Sequence, residues 1–174
     1  RRFGSSHKFL MIVGIAGKMR SGKNTVGDYL CQRYGFHQVA FADALKKLGM
    51  EYFGLSREEC YGEKTVRSRD VLQKIGVAWR EIDEDVWCRH VLKNIPEGQS
   101  MVISDVRFPN EAKMIKDYGG EIIRVQRTTS DQFGKDHISE TALDAYPFHC
   151  VIDNNGSLET LYQQLDAAMV AFHD

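Results

Sequence analysis

The sequence predicts an α/β domain in which a five-stranded parallel sheet lies between layers of helices. Continuous apolar runs, typical of strands buried on both faces of a parallel sheet, alternate along the chain with segments of helical spacing. The length of 174 residues suits one domain, and the 43% hydrophobic content is enough to form its core. No repeat or low-complexity tract interrupts the alternation, so a single three-layer architecture is expected.

The first part of the chain supplies two strands and two helices. The run Phe9–Ala16 contains no charged residue, as expected of a fully buried strand. Apolar residues at helical spacing predict a helix over Thr25–Tyr34, which Gly35 ends. The segment His37–Phe41 is predicted as the second strand and Ala44–Phe53 as the second helix.

The middle of the chain is predicted to be mostly helical over Thr65–Ile95, with Asp83 capping a further turn. Met101–Ser104 is the third predicted strand, and Pro109, a favourable first helical residue, begins the next helix. One apolar face of the long helical segment is predicted to pack on the core; it carries Val71, Leu72, Ile75, Trp79 and Ile82.

The last part of the chain completes the sheet. Gly119–Gly120 ends the preceding helix, Glu121–Val125 is predicted as the fourth strand and His149–Ile152 as the fifth. Ser157 caps the final helix. Between these strands, Thr128–His137 is polar and without periodicity, and a loop of that length in a small domain is typical of a functional segment.

Charge and cysteine usage exclude several classes of partner. Lys and Arg number 23 against 24 Asp and Glu, so the formal net charge is −1. A protein that coats polymeric nucleic acid would carry a basic excess, and no apolar stretch is long enough to cross a membrane. The cysteines lie far apart in sequence, which disfavours a zinc site and is typical of reduced thiols in a soluble, cytoplasmic protein.

Residues 1–8 are left out of the fold prediction. They lack both a starting Met and a hydrophobic signal core, so we interpret them as an added or disordered leader. Residues 9–174 are predicted to form a single domain. The oligomeric state is left open, with a homodimer among the alternatives.

A glycine-rich loop, here called the phosphate loop (Gly17–Thr25), joins the first strand to the first helix and matches G-x-x-x-x-G-K. Glycines let successive backbone N–H groups converge on phosphate oxygens, and the helix N-terminus adds a positive dipole. Lys23 supplies a point charge for the β- and γ-phosphates. The loop is therefore predicted to bind nucleotide phosphates through Gly17, Arg20, Ser21, Gly22, Lys23, Asn24 and Thr25.

Asn24 departs from the motif, which has Ser or Thr at this position to place a hydroxyl on Mg²⁺. Asn offers only an amide oxygen or a contact through water, and Thr25 lies one position late. Asp105 follows an apolar strand, where a metal-organising carboxylate is expected. We therefore expect Mg²⁺ to be held through Asn24 or Thr25 together with Asp105, partly through water.

The arginines favour a kinase whose acceptor is itself anionic, and the chain has no N-K-x-D motif of the GTPase type. Arg107 lies two residues after Asp105 and has paired N–H donors that suit a phosphate group. Arg69 and Arg80 fall on the long helical segment. A solvated helix face is the alternative for these residues and for Arg67, and for Arg67 it explains the residue as well as acceptor binding does.

Several spaced motifs resemble the phage-type deoxynucleoside monophosphate kinases. The most specific is Asp-Val-Arg-Phe-Pro-Asn-Glu within Ser104–Glu111, and the family usually has Asp where this chain has Asn24. The other motifs are the phosphate loop, Phe41–Lys46, Leu72–Gly76 with Arg80, Asp85–Trp87, His137–Glu140 and Ile152–Leu158. The Ser139-Glu140 region and the Ile-x-Asn-x-Gly ending also resemble animal-type phosphomevalonate kinases.

The resemblance implies a P-loop NTPase fold with a short lid, and roles for individual residues. Lys23, Asp105 and Arg127 would be catalytic, and Arg127 and Lys135 would act from the lid. A helix terminus explains Asp43 equally well, and an ordinary turn explains Asn154 and Gly156, which would contact adenine. The acceptor would be bound by Asp43, Lys46, Arg69, Gln73, Arg80 and Arg107.

The reaction expected from the resemblance is ATP-dependent, Mg²⁺-assisted phosphoryl transfer to a (deoxy)nucleoside 5′-monophosphate. Two alternatives stay open. The acceptor could instead be another small phosphate ester such as phosphomevalonate. The irregular Asn24 would also fit a nucleotide-binding switch that has lost turnover.

Overall fold

Parallel strands form the sheet at the centre of the fold. The computed structural model describes residues 11–128 and 137–173. The strands lie in the order β2-β3-β1-β4-β5, and each adjacent pair is parallel, which confirms the predicted five-stranded parallel sheet. In chain order the strands are Ile12–Ala16 (β1), His37–Val39 (β2), Met101–Val106 (β3), Glu121–Gln126 (β4) and Cys150–Asp153 (β5).

Helices connect these strands in the predicted alternation. Two short helices, α3 and α7, were not expected, because a helix of five residues or fewer shows little periodicity in sequence. The helices are Lys23–Tyr34 (α1), Ala42–Phe53 (α2), Arg57–Tyr61 (α3), Val66–Ile82 (α4), Val86–Lys93 (α5), Pro109–Asp117 (α6), Ile138–Thr141 (α7) and Leu158–His173 (α8).

Helices cover both faces of the sheet around β1, which is wholly buried. On one face Val13 and Ile15 join a core with residues of α1 and α8, among them Leu30 and Leu165. On the other face α6 approaches so closely that a Cβ on Gly14 would lie 2.5 Å from a side-chain carbon of Ile115. The three-layer arrangement is therefore confirmed, and a glycine in β1 permits it.

The chain divides into two compact units. The first holds the whole sheet with α1, α6, α7 and α8, and takes in the described residues up to Val39 and from Pro96 onwards. The second is Ala40–Ile95, which holds α2 to α5 and a buried cluster of Leu55, Cys60 and Leu72. The single domain over residues 9–174 stays a prediction.

The apolar face predicted for α4 differs from the structure at two residues, and Asp83, predicted to cap the next turn, instead ends α4, with Asp85 preceding α5. On α4, Leu72 and Ile75 are buried as expected, but Trp79 is 40% and Ile82 86% exposed. Trp79 stacks on the buried Trp87 with ring centroids 5.4 Å apart, so only part of its surface is covered. Ile82 is the last residue of the helix and finds no core to pack against. None of the helices in the described ranges is long and apolar enough to cross a membrane.

Candidate active site

The phosphate loop has the backbone conformation that its glycines predict. Gly17 and Gly22 adopt φ values of 156° and 99°, and Arg20 is left-handed with φ 61°. A Cβ on Gly17 would lie 2.6 Å from the Ser21 hydroxyl oxygen and 2.7 Å from the Val125 carbonyl oxygen. The loop therefore needs glycine at this position both for its torsion angle and for the space beside β4.

Lys23 folds back over this loop. Its ammonium group donates to the carbonyl oxygens of Gly17 at 2.6 Å and Lys18 at 2.7 Å. Burial, assisted by the positive charge of Arg107, lowers the pKa of Lys23 from 10.5 to about 8, while the carboxylates of Glu140 and Asp105 oppose the shift. A cation with little access to water at this place suits a phosphate ligand.

Ser21 has a buried hydroxyl without a hydrogen-bond partner among the described residues. The residue is 2% exposed, and its carbonyl oxygen accepts a 2.8 Å hydrogen bond from the side-chain amide of Asn154. Buried hydroxyls are normally paired, so an unpaired one in a phosphate loop is a group that a bound nucleotide would satisfy. The loop geometry and this hydroxyl fit a nucleotide phosphate.

A second set of charged residues follows β3. The Glu111 carboxylate, on α6 and 2% exposed, accepts the backbone N–H groups of Arg107 at 2.8 Å and Phe108 at 3.0 Å. The Arg107 guanidinium donates to the carboxylate of Glu140 at 2.5 Å. Asp105, at the end of the same strand, is half-buried. The specific Asp-Val-Arg-Phe-Pro-Asn-Glu motif thus holds the Arg107 backbone through its last residue.

Glu140 is the functional candidate that sequence reasoning missed. Its side chain is only 7% exposed, and besides pairing with Arg107 it accepts the Met19 backbone N–H of the phosphate loop at 2.9 Å. Glu140 lies 121 residues away from Met19 in sequence, so no spacing rule could connect them. The only signal was its place in the His137–Glu140 motif, to which no role was assigned.

A cavity of about 310 Å³ opens beside the phosphate loop at the ends of β4 and β5. At the edge of this cavity, the side-chain oxygen of Asn155 accepts a 2.8 Å hydrogen bond from the backbone N–H of Thr128. Of the two predicted adenine contacts, Asn154 is engaged with Ser21, and Gly156 faces Thr160. The residues around the cavity include Lys18, Ser21, Arg124, Arg127, Thr128 and Asn155.

The predicted site residues fall in both units. The phosphate loop, Asp105, Arg107, Arg127, Asn154 and Gly156 all belong to the unit that contains the sheet. Lys135 lies outside the described residues. The remaining predicted acceptor residues, Asp43, Lys46, Arg69, Gln73 and Arg80, belong to the Ala40–Ile95 unit.

Within the Ala40–Ile95 unit the predicted acceptor residues have different surroundings. The Asp43 carboxylate accepts the Ala40 backbone N–H at 3.0 Å, a contact that also ends β2 at Val39 instead of the predicted Phe41. The Lys46 ammonium lies 4.3 Å from the centre of the Tyr61 ring. On α4, Arg69 and Gln73 are exposed, and Arg80 donates to the Gly76 carbonyl oxygen at 3.4 Å.

Mg²⁺ would have few protein ligands here. Among residues 11–128 and 137–173, no three His, Cys, Asp or Glu side chains gather in a metal-binding arrangement. Asn24 is exposed and Thr25 half-buried. Mg²⁺ in kinases is held mainly by phosphate and water oxygens with one or two protein groups, so Asp105 with Thr25 or Asn24 fits a metal that arrives with the nucleotide.

The sheet order and phosphate loop define the fold of a P-loop kinase, and solved structures agree. Shikimate kinase from Acinetobacter baumannii matches with a TM-score of 0.51 and 13% identity, covering 94% of each chain. TT1252 from Thermus thermophilus matches with a TM-score of 0.50 and 17% identity, covering 92% of this chain and 97% of its own. At such low identity these structures bear on the fold alone.

Sequence comparison identifies the family. The sequence model for deoxynucleotide monophosphate kinase matches residues 62–165. A putative deoxynucleotide monophosphate kinase of Acanthamoeba polyphaga mimivirus is 31% identical over 90% of this chain and 94% of its own. The uncharacterized protein ORF77 of Ictalurid herpesvirus 1 is 31% identical over 77% of this chain and 59% of its own. The chain belongs to the deoxynucleotide monophosphate kinase family, and it is a kinase.

Proposed function

We propose that this protein transfers the γ-phosphoryl group of ATP to a (deoxy)nucleoside 5′-monophosphate, giving the diphosphate. The observation that carries the proposal is the convergence of two cations at the carboxyl ends of neighbouring parallel strands. Lys23 follows β1 in the phosphate loop, and Arg107 follows β3 close enough to lower the pKa of Lys23. One cation serves the donor phosphates and the other is available to an acceptor phosphate.

The cavity beside the phosphate loop supports the donor half of this proposal. Its volume of about 310 Å³ lies within the range of small-ligand pockets. Ser21 and Arg127 line it, so an adenosine group bound there would adjoin phosphates bound on the loop. The predicted adenine contacts would then come from the turn after β5, with Asn155 at the cavity edge and Asn154 supporting the loop.

The chemistry requires no general base. The second pKa of a phosphate monoester is about 6, so an oxygen of the acceptor phosphate is already nucleophilic at pH 7. That oxygen forms a bond to the γ-phosphorus while the bond from this phosphorus to the β–γ bridging oxygen breaks, and ADP leaves. When bound, Mg²⁺ supplies charge neutralisation on the phosphates. Lys23 and Arg107 supply the protein's share by alignment and charge.

For the acceptor half we propose Arg107, and the acceptor roles of residues in the Ala40–Ile95 unit stay a prediction from the resemblance. Asp43, Lys46, Arg69, Gln73 and Arg80 offer a carboxylate, cations and an amide, the groups that recognise a sugar, a phosphate and a base. We propose small-molecule nucleotides as the partners of this site, in keeping with the near-neutral net charge of −1.

An ADP-release assay over a panel of acceptors tests the proposal. The panel contains the ribo- and deoxyribonucleoside 5′-monophosphates and phosphomevalonate, with ATP and Mg²⁺ in each reaction. We expect turnover with at least one nucleoside monophosphate, and turnover lower by at least about a hundredfold for Lys23→Met under the same conditions. Faster turnover with phosphomevalonate than with any nucleoside monophosphate would make phosphomevalonate the acceptor. ATP binding without transfer to any acceptor would indicate a nucleotide-binding switch.

A further inference from the structure

Glu140 connects three parts of the nucleotide-binding unit. It lies on the short helix α7, its carboxylate pairs with the Arg107 guanidinium after β3, and it accepts the Met19 N–H of the phosphate loop. Its side chain is 7% exposed while that of Arg107 is 31% exposed. The carboxylate is thus the buried partner, and the guanidinium remains within reach of solvent and ligands.

Arg107 is held from two sides by this arrangement. Glu111 accepts the N–H of its backbone, and Glu140 accepts from its guanidinium. The Ser139 hydroxyl, one residue before Glu140, lies 3.5 Å from the same guanidinium nitrogen. Charge-assisted pairs between arginine and carboxylate are directional, and both side chains lose freedom when they form. The orientation of the arginine is therefore set before any ligand binds.

The same carboxylate has a cost for nucleotide binding. It lies near enough to Lys23 to raise the pKa of that lysine, so it also repels phosphate groups that approach the loop. A group that served only to attract nucleotide would not be negatively charged at this place. The position of the Glu140 carboxylate is explained if this residue serves to orient Arg107 relative to the phosphate loop.

We propose that Glu140 is a positioning residue for phosphoryl transfer, holding the Arg107 guanidinium at a set place beside the Met19 amide of the phosphate loop. This inference rests on the proposed function, because Arg107 is the group that would meet the acceptor phosphate. Glu140 itself touches neither substrate. It acts through the arginine, so its effect on turnover should disappear once the arginine is removed.

The kinetic test compares Glu140→Gln, Arg107→Ala and the double variant with wild type. We expect Glu140→Gln to lower kcat by about tenfold or more, with ATP binding unchanged or up to about threefold tighter. The double variant should be within about twofold of Arg107→Ala alone. The matched control is Glu121→Gln, which removes an ion pair with Lys116 at the amino end of β4 and should leave turnover unchanged.

Lower turnover with ATP binding that is unchanged or tighter separates a positioning role from a structural one. A parallel loss of ATP binding and turnover in Glu140→Gln would overturn the inference. So would a kcat within twofold of wild type, a variant faster than wild type, or additive effects in the double variant.

A second readout does not depend on turnover. An arginine-selective dicarbonyl reagent is applied to wild type and Glu140→Gln, and modification of Arg107 is followed by peptide mass. We expect Arg107 to react several-fold faster in the variant, and equal rates would overturn the inference. Failure of wild type to use any acceptor would refute the proposed function, while these rates would still report whether Glu140 holds Arg107.

Discussion

The side-chain amide of Asn154 donates a 2.8 Å hydrogen bond to the carbonyl oxygen of Ser21, tying the turn after β5 to the phosphate loop. Asn154 also fills the space beside Gly22, where an added Cβ would collide with its amide nitrogen. The shape of the phosphate loop is thus supported by a residue more than a hundred positions later.

Asn154→Ala should lower both stability and ATP affinity. The loss of one hydrogen bond to the carbonyl of a buried residue costs about 1 kcal/mol of unfolding free energy, and the loosened loop should bind ATP several-fold more weakly. Urea unfolding and a nucleotide titration measure the two effects. Asn94→Ala is the control, because Asn94 makes a bond of the same type and length to the His90 carbonyl on α5. Equal ATP affinity in Asn154→Ala and wild type would contradict the assigned support.

Lys23→Met should lower turnover by at least about a hundredfold while the fold persists. The ammonium is largely buried, and its charged form is disfavoured there, as the lowered pKa of about 8 indicates. Replacing it by an uncharged side chain of similar length should therefore leave the thermal midpoint at pH 7 unchanged or higher. Lys113→Met, which breaks an exposed ion pair with Asp117, is the control for a lost lysine. A variant that keeps turnover would remove Lys23 from the site.

ATP affinity should fall with rising pH above about 8. In the free protein the pKa of Lys23 is lowered to about 8, mainly by burial, and bound phosphates stabilise the charged form and raise it. Binding then takes up a proton, and the affinity decreases by up to about tenfold per pH unit until the pKa of the bound state is reached. Calorimetry in buffers of different ionisation enthalpy measures the uptake. Lys23→Met should show no proton uptake on ATP binding at pH 9. An uptake equal to that of wild type would mean that a group other than Lys23 takes up the proton.

Glu111→Ala should destabilise the protein by about 2 kcal/mol, because the buried carboxylate accepts two backbone N–H groups. Both bonds go to the same carboxylate oxygen, so Glu111→Gln can keep them and should cost less than half as much. Urea unfolding of the two variants compares them. If both cost the same, the charge of Glu111, not its hydrogen bonds, would be what stabilises the turn before α6.

The elements of the fold followed from local patterns. The buried run before Gly17, the helix that Gly35 ends and the helix that Pro109 begins are each encoded within a few neighbouring residues. The prediction was wrong at α4, where the sequence pattern does not show how far the core extends. Ile82 continues the apolar periodicity of α4, but it lies at the end of the helix, beyond the buried residues, and is exposed.

The site divides in the same way. The phosphate loop was predicted because its chemistry needs consecutive residues in one turn, and Asp105 and Arg107 because they end one strand. Glu140 was not assigned a role, since a glutamate near a polar loop has the same local appearance whether it is solvated or buried. The hydrogen bond from Asn154 to the Ser21 carbonyl oxygen was likewise not predicted, because the sequence of the turn after β5 is that of an ordinary turn.

The sequence alone predicts the parallel α/β class, the phosphate loop with Lys23 and the family resemblance, because each is encoded in runs or motifs of a few consecutive residues and in their order along the chain. Tertiary structure decided which charges meet. The pairing of Glu140 with Arg107 and Met19 requires α7, β3 and β1 to come together at one end of the sheet. Burial of that carboxylate, and of Lys23 beside it, arises only once the helices and strands exclude water from the loop.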